Sequence, residues 1–340
     1  MKKFILLLVV EVLLSACSQS KSNEKKKDIV KIKTKYDLRG DRKDGKDAEV
    51  KKGTVVIPKN PKRIVTFDYG AVDTIKALGH SSAIKGIAKG KNGESLGESL
   101  PEDLASFKQK KYANVGELGK PNYNAVAKQK PDLIIFSGRT ASKQVLEELK
   151  KAAPNAKLLY IGTDDEQTLS SIKKNTSDLG KIFDESSKAQ KYIEKLNKIS
   201  NNTKKIASKI SDKSMILLTS EGELSTYGPK DRFGGLIYNE MGMKPADEKI
   251  KAGPHGKPVS LEYVAEEDPD IIFAMDRDKA TSGKGTSRKI LNNDVLKEVS
   301  AVKRKQIIEL NPKEWYFSTN GIQSSIKQVK ELKKNIEQLK

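Results

Sequence analysis

Tyr123 to Arg139 reads YNAVAKQKPDLIIFSGR, and Leu261 to Arg277 reads LEYVAEEDPDIIFAMDR. Laid together without a gap, 138 residues apart, they share Val126/Val264, Ala127/Ala265, Pro131/Pro269, Asp132/Asp270, Ile134/Ile272 and Arg139/Arg277. Each copy predicts a short helix, a Pro-Asp turn, a buried apolar strand and a polar strand end. Open α/β sheets bind ligands beyond the carboxyl ends of their strands, so both arginines are expected where such folds hold things. Two similar lobes, each offering an Arg to a shared cleft, point to a clamp for an anion. The alternative is chance recurrence of Pro-Asp-apolar strands, with the arginines as surface ion-pair partners. Two copies in register weigh against it.

The flanks extend the duplication. Arg63 to Phe67 (RIVTF) is a strand leading to a helix that closes at Ala77-Leu78-Gly79, and Met215 to Thr219 (MILLT) leads to Phe233-Gly234-Gly235-Leu236-Ile237 and Met241-Gly242. Lys157 to Ile161 (KLLYI) precedes a helix containing Ser170-Ser171-Ile172-Lys173, and Gln306 to Leu310 (QIIEL) precedes one containing Ser324-Ser325-Ile326-Lys327. Strands alternating with helices imply mainly parallel sheets. The expected architecture is therefore α/β, with an N-terminal lobe at 54–186 and a C-terminal lobe at 212–340. Between them, 187–211 carries Tyr192, Ile193, Leu196, Ile199 and Ile206 at helical spacing on a Lys- and Asn-rich background. A helix of that length spans roughly 35 Å at about 1.5 Å per residue, enough to bridge two lobes as a rigid connector. An ordinary surface helix within one domain is the alternative, but the repeat boundary falls on it.

The N-terminus predicts export. Met1-Lys2-Lys3 is basic, Phe4 to Leu14 is apolar apart from Glu11, and Leu14-Ser15-Ala16-Cys17 is a lipobox. Residues 1–16 then form a lipoprotein signal peptide, and the apolar run is too short for an ordinary membrane span. Cys17 is the single cysteine of the chain, so no internal disulfide forms and its thiol is expected to carry the lipid. Residues 17–53 read as a flexible tether rich in Lys, Asp, Ser and Gly. Within and beside it, Val30 to Thr34 and Thr54 to Ile57 could pair as a small edge hairpin closed by Pro58 and Pro61.

Formal charge is +20, or +19 once residues 1–16, with two Lys and one Glu, are removed. Such a field favours anionic ligands and surfaces. Nucleic acid is not expected as a partner, because the lysines are dispersed and no aromatic-basic module accompanies them. Against 57 Lys stand 8 Arg, which makes each Arg informative: its planar fork of donors fits oxygen anions in a way lysine does not. Arg139, Arg232 and Arg277 all fall at predicted strand or loop ends. Of the two histidines, His80 follows a helix-ending glycine as a cap residue. His255 lies in Ala252-Gly253-Pro254-His255-Gly256-Lys257-Pro258, a loop able to reach into a cleft or simply to stand exposed. Two histidines are too few for a multi-His cage that captures transition metals directly.

Taken in order, Pro61-Lys62-Arg63-Ile64-Val65, Lys130-Pro131-Asp132-Leu133-Ile134, Asp231-Arg232-Phe233-Gly234, His255-Gly256, Val259-Ser260-Leu261-Glu262-Tyr263, Asp276-Arg277 and Trp315-Tyr316 resemble one family. They are similar to the substrate-binding lipoproteins that feed iron-siderophore ABC importers, over about Lys51 to Lys340, and especially to catecholate-siderophore receptors. The resemblance implies the class III periplasmic-binding-protein fold, whose lobes are joined by one long helix. It implies that Arg139, Arg232 and Arg277 surround a ferric catecholate, with His255 and Tyr316 able to complete the iron shell. Trp315 offers a face for catechol stacking, or else packs in the core at the lobe edge. The ferric siderophore is then cargo, with no intrinsic cofactor. The implied partners are an ABC permease with its ATPase and the membrane, reached through the lipid anchor. The expected state is a monomer on the outer face of the cytoplasmic membrane, in a Gram-positive cell. Glu262 matches a permease-docking position; its counterpart in the first repeat is Asn124, and Glu117 nearby is the candidate substitute. A receptor for haem, cobalamin or a hydroxamate siderophore would share the fold but should lack the three-arginine set. An exported hydrolase would need an activated nucleophile; Gly93-Glu94-Ser95-Leu96-Gly97 matches the Gly-x-Ser-x-Gly string, but the polar Lys89-Gly90-Lys91-Asn92 runs into it instead of the apolar strand a nucleophile elbow requires. An adhesin would need no duplicated lobes.

Overall fold

The computed structural model describes residues 28–40, 48–90, 100–250, 256–317 and 321–339. The chain opens with a long hairpin, β1 (Ile29–Leu38) and β2 (Glu49–Pro58), paired antiparallel from Ile29↔Pro58 to Leu38↔Glu49. This bears out the expected pairing of 30–34 with 54–57 and corrects the tether reading for 29–38 and 49–53. Val30, Ile32, Thr34, Tyr36 and Leu38 alternate inward, so β1 has a buried face despite its lysines. Tyr36 stacks on Tyr160 at 4.5 Å and meets Phe136 edge-on at 5.5 Å, fixing the hairpin to the first lobe. Residues 1–27, with the signal peptide and Cys17, lie outside the described part.

The first lobe runs through β3 (Ile64–Thr66), α1 (Tyr69–Leu78), β4 (Ile84–Ile87), β5 (Ala113–Asn114), α2 (Tyr123–Gln129), β6 (Leu133–Phe136), α3 (Lys143–Ala152), β7 (Lys157–Tyr160) and α4 (Thr168–Ile182). Its sheet is wholly parallel in the order β5-β4-β3-β6-β7. The connector is α5 (Ser186–Ala207), 22 residues long, or roughly 33 Å at about 1.5 Å per residue.

The second lobe follows with β8 (Lys213–Ser220), β9 (Glu223–Tyr227), β10 (Lys244–Pro245), β11 (Lys257–Val259), α6 (Leu261–Glu267), β12 (Ile271–Asp276), α7 (Arg277–Ser282), α8 (Ser287–Leu291), α9 (Ser300–Lys303), β13 (Ile307–Glu309), α10 (Pro312–Phe317) and α11 (Ile322–Ile336). Its main path is β11-β9-β8-β12-β13. The β8, β12 and β13 trio repeats the parallel β3, β6 and β7 of the first lobe. Here the lobes diverge, because β9 is antiparallel and fills the place that β4 takes in the first lobe. The cause is the two-residue turn Glu221-Gly222, with φ of 55° and 87°, the conformation that reverses a chain into a tight hairpin.

The duplicated segments match down to their caps. Asn122 and Ser260 cap α2 and α6 by accepting from Ala125 N and Tyr263 N, while Lys130 and Asp268 end them at φ of 46° and 39°. Asp132 accepts from the backbone N–H groups of Lys62 and Arg63, and Asp270 accepts from that of Lys213. Each Pro-Asp turn thereby ties its own strand to the start of the strand beside it. β6 (LIIF) and β12 (IIFAMD) are buried along their whole length, as parallel strands covered on both faces must be.

The lobes share more than the connector. A single apolar cluster takes Ala77, Leu169 and Ile172 from the first lobe, Leu196 and Ala207 from α5, and Phe233, Trp315, Val329 and Leu332 from the second. α11 packs on α5 and returns to α1, where Thr74 Oγ1 accepts from Ile322 N and Asp73 Oδ2 from Gln323 N at 2.7 Å. This is the two-lobed, helix-joined α/β architecture expected, with α11 as a second element spanning the lobes. Among the described residues no helix is long and apolar enough to cross a membrane.

Candidate functional site

The carboxyl ends of β6 and β12 face the cleft and carry the two repeated arginines. After Phe136 the chain turns through Ser137-Gly138-Arg139-Thr140, closed by Thr140 N donating to Ser137 O, which leaves the Arg139 side chain exposed. After β12, Asp276 caps α7 by accepting from Lys279 N, so Arg277 is the first helical residue. Burial alone would raise the Asp276 pKa, but N–H donors from Ser287, Lys279 and Thr286 outweigh it and hold the carboxyl below the usual range. Arg232 sits in the loop after β9, where Asp231 Oδ2 accepts from Gly228 N and shapes the turn.

Tyr316 gathers all three. The guanidinium carbons of Arg139, Arg232 and Arg277 lie 5.4, 5.2 and 6.0 Å from its ring centroid. Arg277 Nε donates to the phenol oxygen at 3.0 Å, and Arg232 Nη2 donates to the Tyr316 carbonyl. Arg139 belongs to the first lobe and the other two to the second, so the constellation straddles the cleft. The three guanidinium charges bear on one another. Burial pushes the Arg232 guanidinium down to about 10, and the facing charge of Arg139 pushes the same way. Burial would also lower Arg277, but its bonds to Tyr316 and Glu221 hold it above its ordinary value. Asp165, from the first lobe, has its carboxyl raised by burial, with the nearby Arg232 pulling it back.

Several expectations need restating. Trp315 is not a stacking face: it is 1% exposed, and its Nε1 donates to Glu331 Oε2 at 2.8 Å. Adjacent residues on a helix point about 100° apart, so Tyr316 enters the cleft while Trp315 enters the core. The aromatic that does join the cleft is Phe317, with Arg139 5.7 Å from its ring and Tyr69 6.2 Å away. Reading Trp-Tyr-Phe as consecutive helical positions would have found it. His255 lies outside the described residues. His80 ends α1 as expected, with its N–H donating to Ile75 O beside Gly79 at φ 95°, and its ring stacks on Phe183 at 4.4 Å. Glu262 is exposed in the first turn of α6, and Glu117 is half-buried in the turn before α2. Ser220 and Glu221, which accept from Arg277 Nη1 at 2.6 and 3.2 Å, carried no sequence signal beyond their place at a strand end.

The model of a family described as periplasmic binding protein matches residues 64–314, and the chain belongs to that family. It is 35% identical to the petrobactin-binding protein YclQ of Bacillus subtilis, over 99% of this chain and 100% of that protein. Identity to the ferric-anguibactin-binding protein FatB of Vibrio anguillarum is 27%, over 80% of this chain and 81% of that protein. The crystal structure of YclQ superposes with a TM-score of 0.77 at 33% identity, covering 90% of this chain and 99% of that one. The catecholate-siderophore binding protein VctP of Vibrio cholerae does so at 0.74 and 24% identity, over 88% and 100%, a likeness of fold.

Proposed function

We propose that this chain is a membrane-anchored extracellular receptor that binds a ferric catecholate siderophore in the inter-lobe cleft and hands it to an ABC permease with its ATPase. The observation that carries the reading is the convergence of Arg139, Arg232 and Arg277 from two lobes on the single ring of Tyr316. Guanidinium groups this close repel one another, and an anion among them turns that cost into charge-assisted hydrogen bonds. Catecholate oxygens supply the anion, and oxygen-rich coordination suits a hard ferric ion. The likeness to YclQ and FatB, named for petrobactin and ferric-anguibactin, supports the same ligand class.

Within that reading, a bis-catecholate leaves two iron positions open, and the Tyr316 oxygen and His255 imidazole fill them. Arg277 already orients the phenol. Cys17 carries the lipid after cleavage of residues 1–16, holding a monomer at the outer face of the cytoplasmic membrane. Glu262 on one lobe and Glu117 on the other meet the permease. The test is a fluorescence titration with ferric catecholate, ferric hydroxamate and haem. Trp315, the single Trp, packs next to Tyr316 and reports occupancy. Saturable quenching by the ferric catecholate alone is expected; quenching by haem or hydroxamate instead would replace the ligand class.

A further inference from the structure

The turn that carries Arg139 is held from behind by the N-terminal hairpin. Arg39 follows the last residue of β1, and its guanidinium donates from Nη2 to the Arg139 carbonyl at 2.6 Å and from Nε to the Ala141 carbonyl at 3.5 Å. Its backbone joins the same loop: Arg39 N donates to Ala141 O at 3.0 Å and Lys143 N donates to Arg39 O at 2.9 Å, forming an isolated bridge between Arg39 and Ser142. Four bonds thus run from one hairpin residue into the loop between β6 and α3. The opposite end of β1 pairs with Pro58 near the start of β3, and Tyr36 is clamped between Phe136 and Tyr160. The hairpin therefore lies along the first lobe, braced on β6 and β7, with Arg39 delivered to the cleft end.

The side-chain partners of Arg277 explain why such a brace matters. Arg277 is fixed by Ser220, Glu221 and the Tyr316 hydroxyl, all of them side chains around its own guanidinium. The Arg139 guanidinium instead meets the faces of Tyr316 and Phe317, contacts that constrain position more loosely than hydrogen bonds do. Its location must be set by its backbone. A cationic fork on that carbonyl is a strong and directional way to set it.

We infer that Arg39 is a positioning residue for the clamp, fixing the Arg139 loop against the cleft without touching the ligand itself. This rests on Arg139 facing the ligand. The test uses the mature full chain, with Arg39→Ala and Arg39→Lys each made alone and together with Arg139→Ala. The probe is iron(III) with excess 2,3-dihydroxybenzoate, followed by tryptophan quenching, alongside amide exchange at Thr140, Ala141 and Lys143. Arg39→Ala is expected to weaken probe binding about tenfold, in keeping with loss of charged hydrogen bonds. It should speed exchange at the three amides and cost nothing further once Arg139 is Ala. Arg39→Lys, with a point charge in place of a fork, should fall between. Equal losses in both backgrounds, or full-strength binding with unchanged exchange, overturns the inference. If the probe fails to bind the unaltered chain, the proposed ligand class falls, while the exchange rates still decide whether Arg39 holds the loop.

Discussion

Arg139 and Arg277 occupy the same position of a repeat and reach the same tyrosine, yet the two lobes hold them differently. In the second lobe the strand runs into a capped helix, and Arg277 is pinned through its side chain by Ser220, Glu221 and Tyr316. The first lobe breaks β6 into a turn, leaves the Arg139 side chain against two aromatic faces, and braces its carbonyl from the added hairpin. The β8–β9 turn, which has no counterpart in the first lobe's parallel sheet, is what brings Glu221 beside Arg277. Duplicated sequence thus preserves where a strand ends. What happens past that end is decided by neighbours outside the repeat.

Arg232, the third guanidinium at the Tyr316 ring, should show the largest effect. It is the most desolvated of the three, so Arg232→Ala is expected to cost about 3 kcal/mol of ferric catecholate binding, read as a loss of roughly a hundredfold in titration. A loss no larger than that of Arg139→Ala would mean that its burial is not used by the ligand.

The next effect tests how tightly the lobes are joined. A Cβ on Gly235 would overlap the carbonyl oxygen of Asp165 across the cleft, and backbone there has little room to give. Gly235→Ala should lower unfolding stability by about 2 kcal/mol in denaturant titrations. An unchanged midpoint would show that the lobes can shift apart freely, against a shared core that takes Leu169 and Ile172 from one lobe and Phe233 from the other.

Lysine replacements sharpen the Arg139–Arg277 contrast. Arg277→Lys gives up a fork that serves three acceptors and should lose more ligand affinity than Arg139→Lys, by about fivefold. Equal losses would mean that the side-chain partners of Arg277 do not matter to binding.

A further effect, on stability and not on ligand binding, is one of pH. Burial pushes the Asp73 carboxyl up to about 7, although Gln323 and Ser324 donate to it from the start of α11. The folded state then holds a proton that the unfolded chain, near the ordinary value of 3.8, has given up. Stability linked to Asp73 is therefore full in acid and is lost as pH rises through about 7. Asp73→Asn should flatten the fall in melting temperature between about pH 4 and pH 7. A slope identical to that of the unaltered chain would show that the group titrates normally, and that the joint between α1 and α11 is wetter than its geometry implies.

What could be read from the sequence was the repeat. Its short helices, Pro-Asp turns, apolar strands and strand-end arginines all follow from local chemistry that both copies keep, whereas the caps at Asn122 and Ser260 and the left-handed ends at Lys130 and Asp268 emerged only from the structure. The hairpin was read only over 30–34 and 54–57, where the strands pair as expected; its extension to Leu38 and Glu49 was missed because its solvent face is lysine-rich, which resembles a tether unless the inward alternation of Val30, Ile32, Tyr36 and Leu38 is counted. β9 was missed because one Glu-Gly pair reverses the chain inside what looks like a strand-to-helix link. Trp315 was misplaced because a Trp-Tyr pair looks like one aromatic surface, whereas a helix sends the two rings apart. Arg39 was invisible as a brace, since nothing local connects residues a hundred positions apart.

The most direct test of the clamp is a crystal structure of the protein loaded with a ferric catecholate. The account predicts catecholate oxygens within hydrogen-bond distance of Arg139 from one lobe and of Arg232 and Arg277 from the other, with the complex seated beside Tyr316. A ligand seated elsewhere, or held by one lobe with the opposite arginine still resting on the aromatic rings, would contradict it.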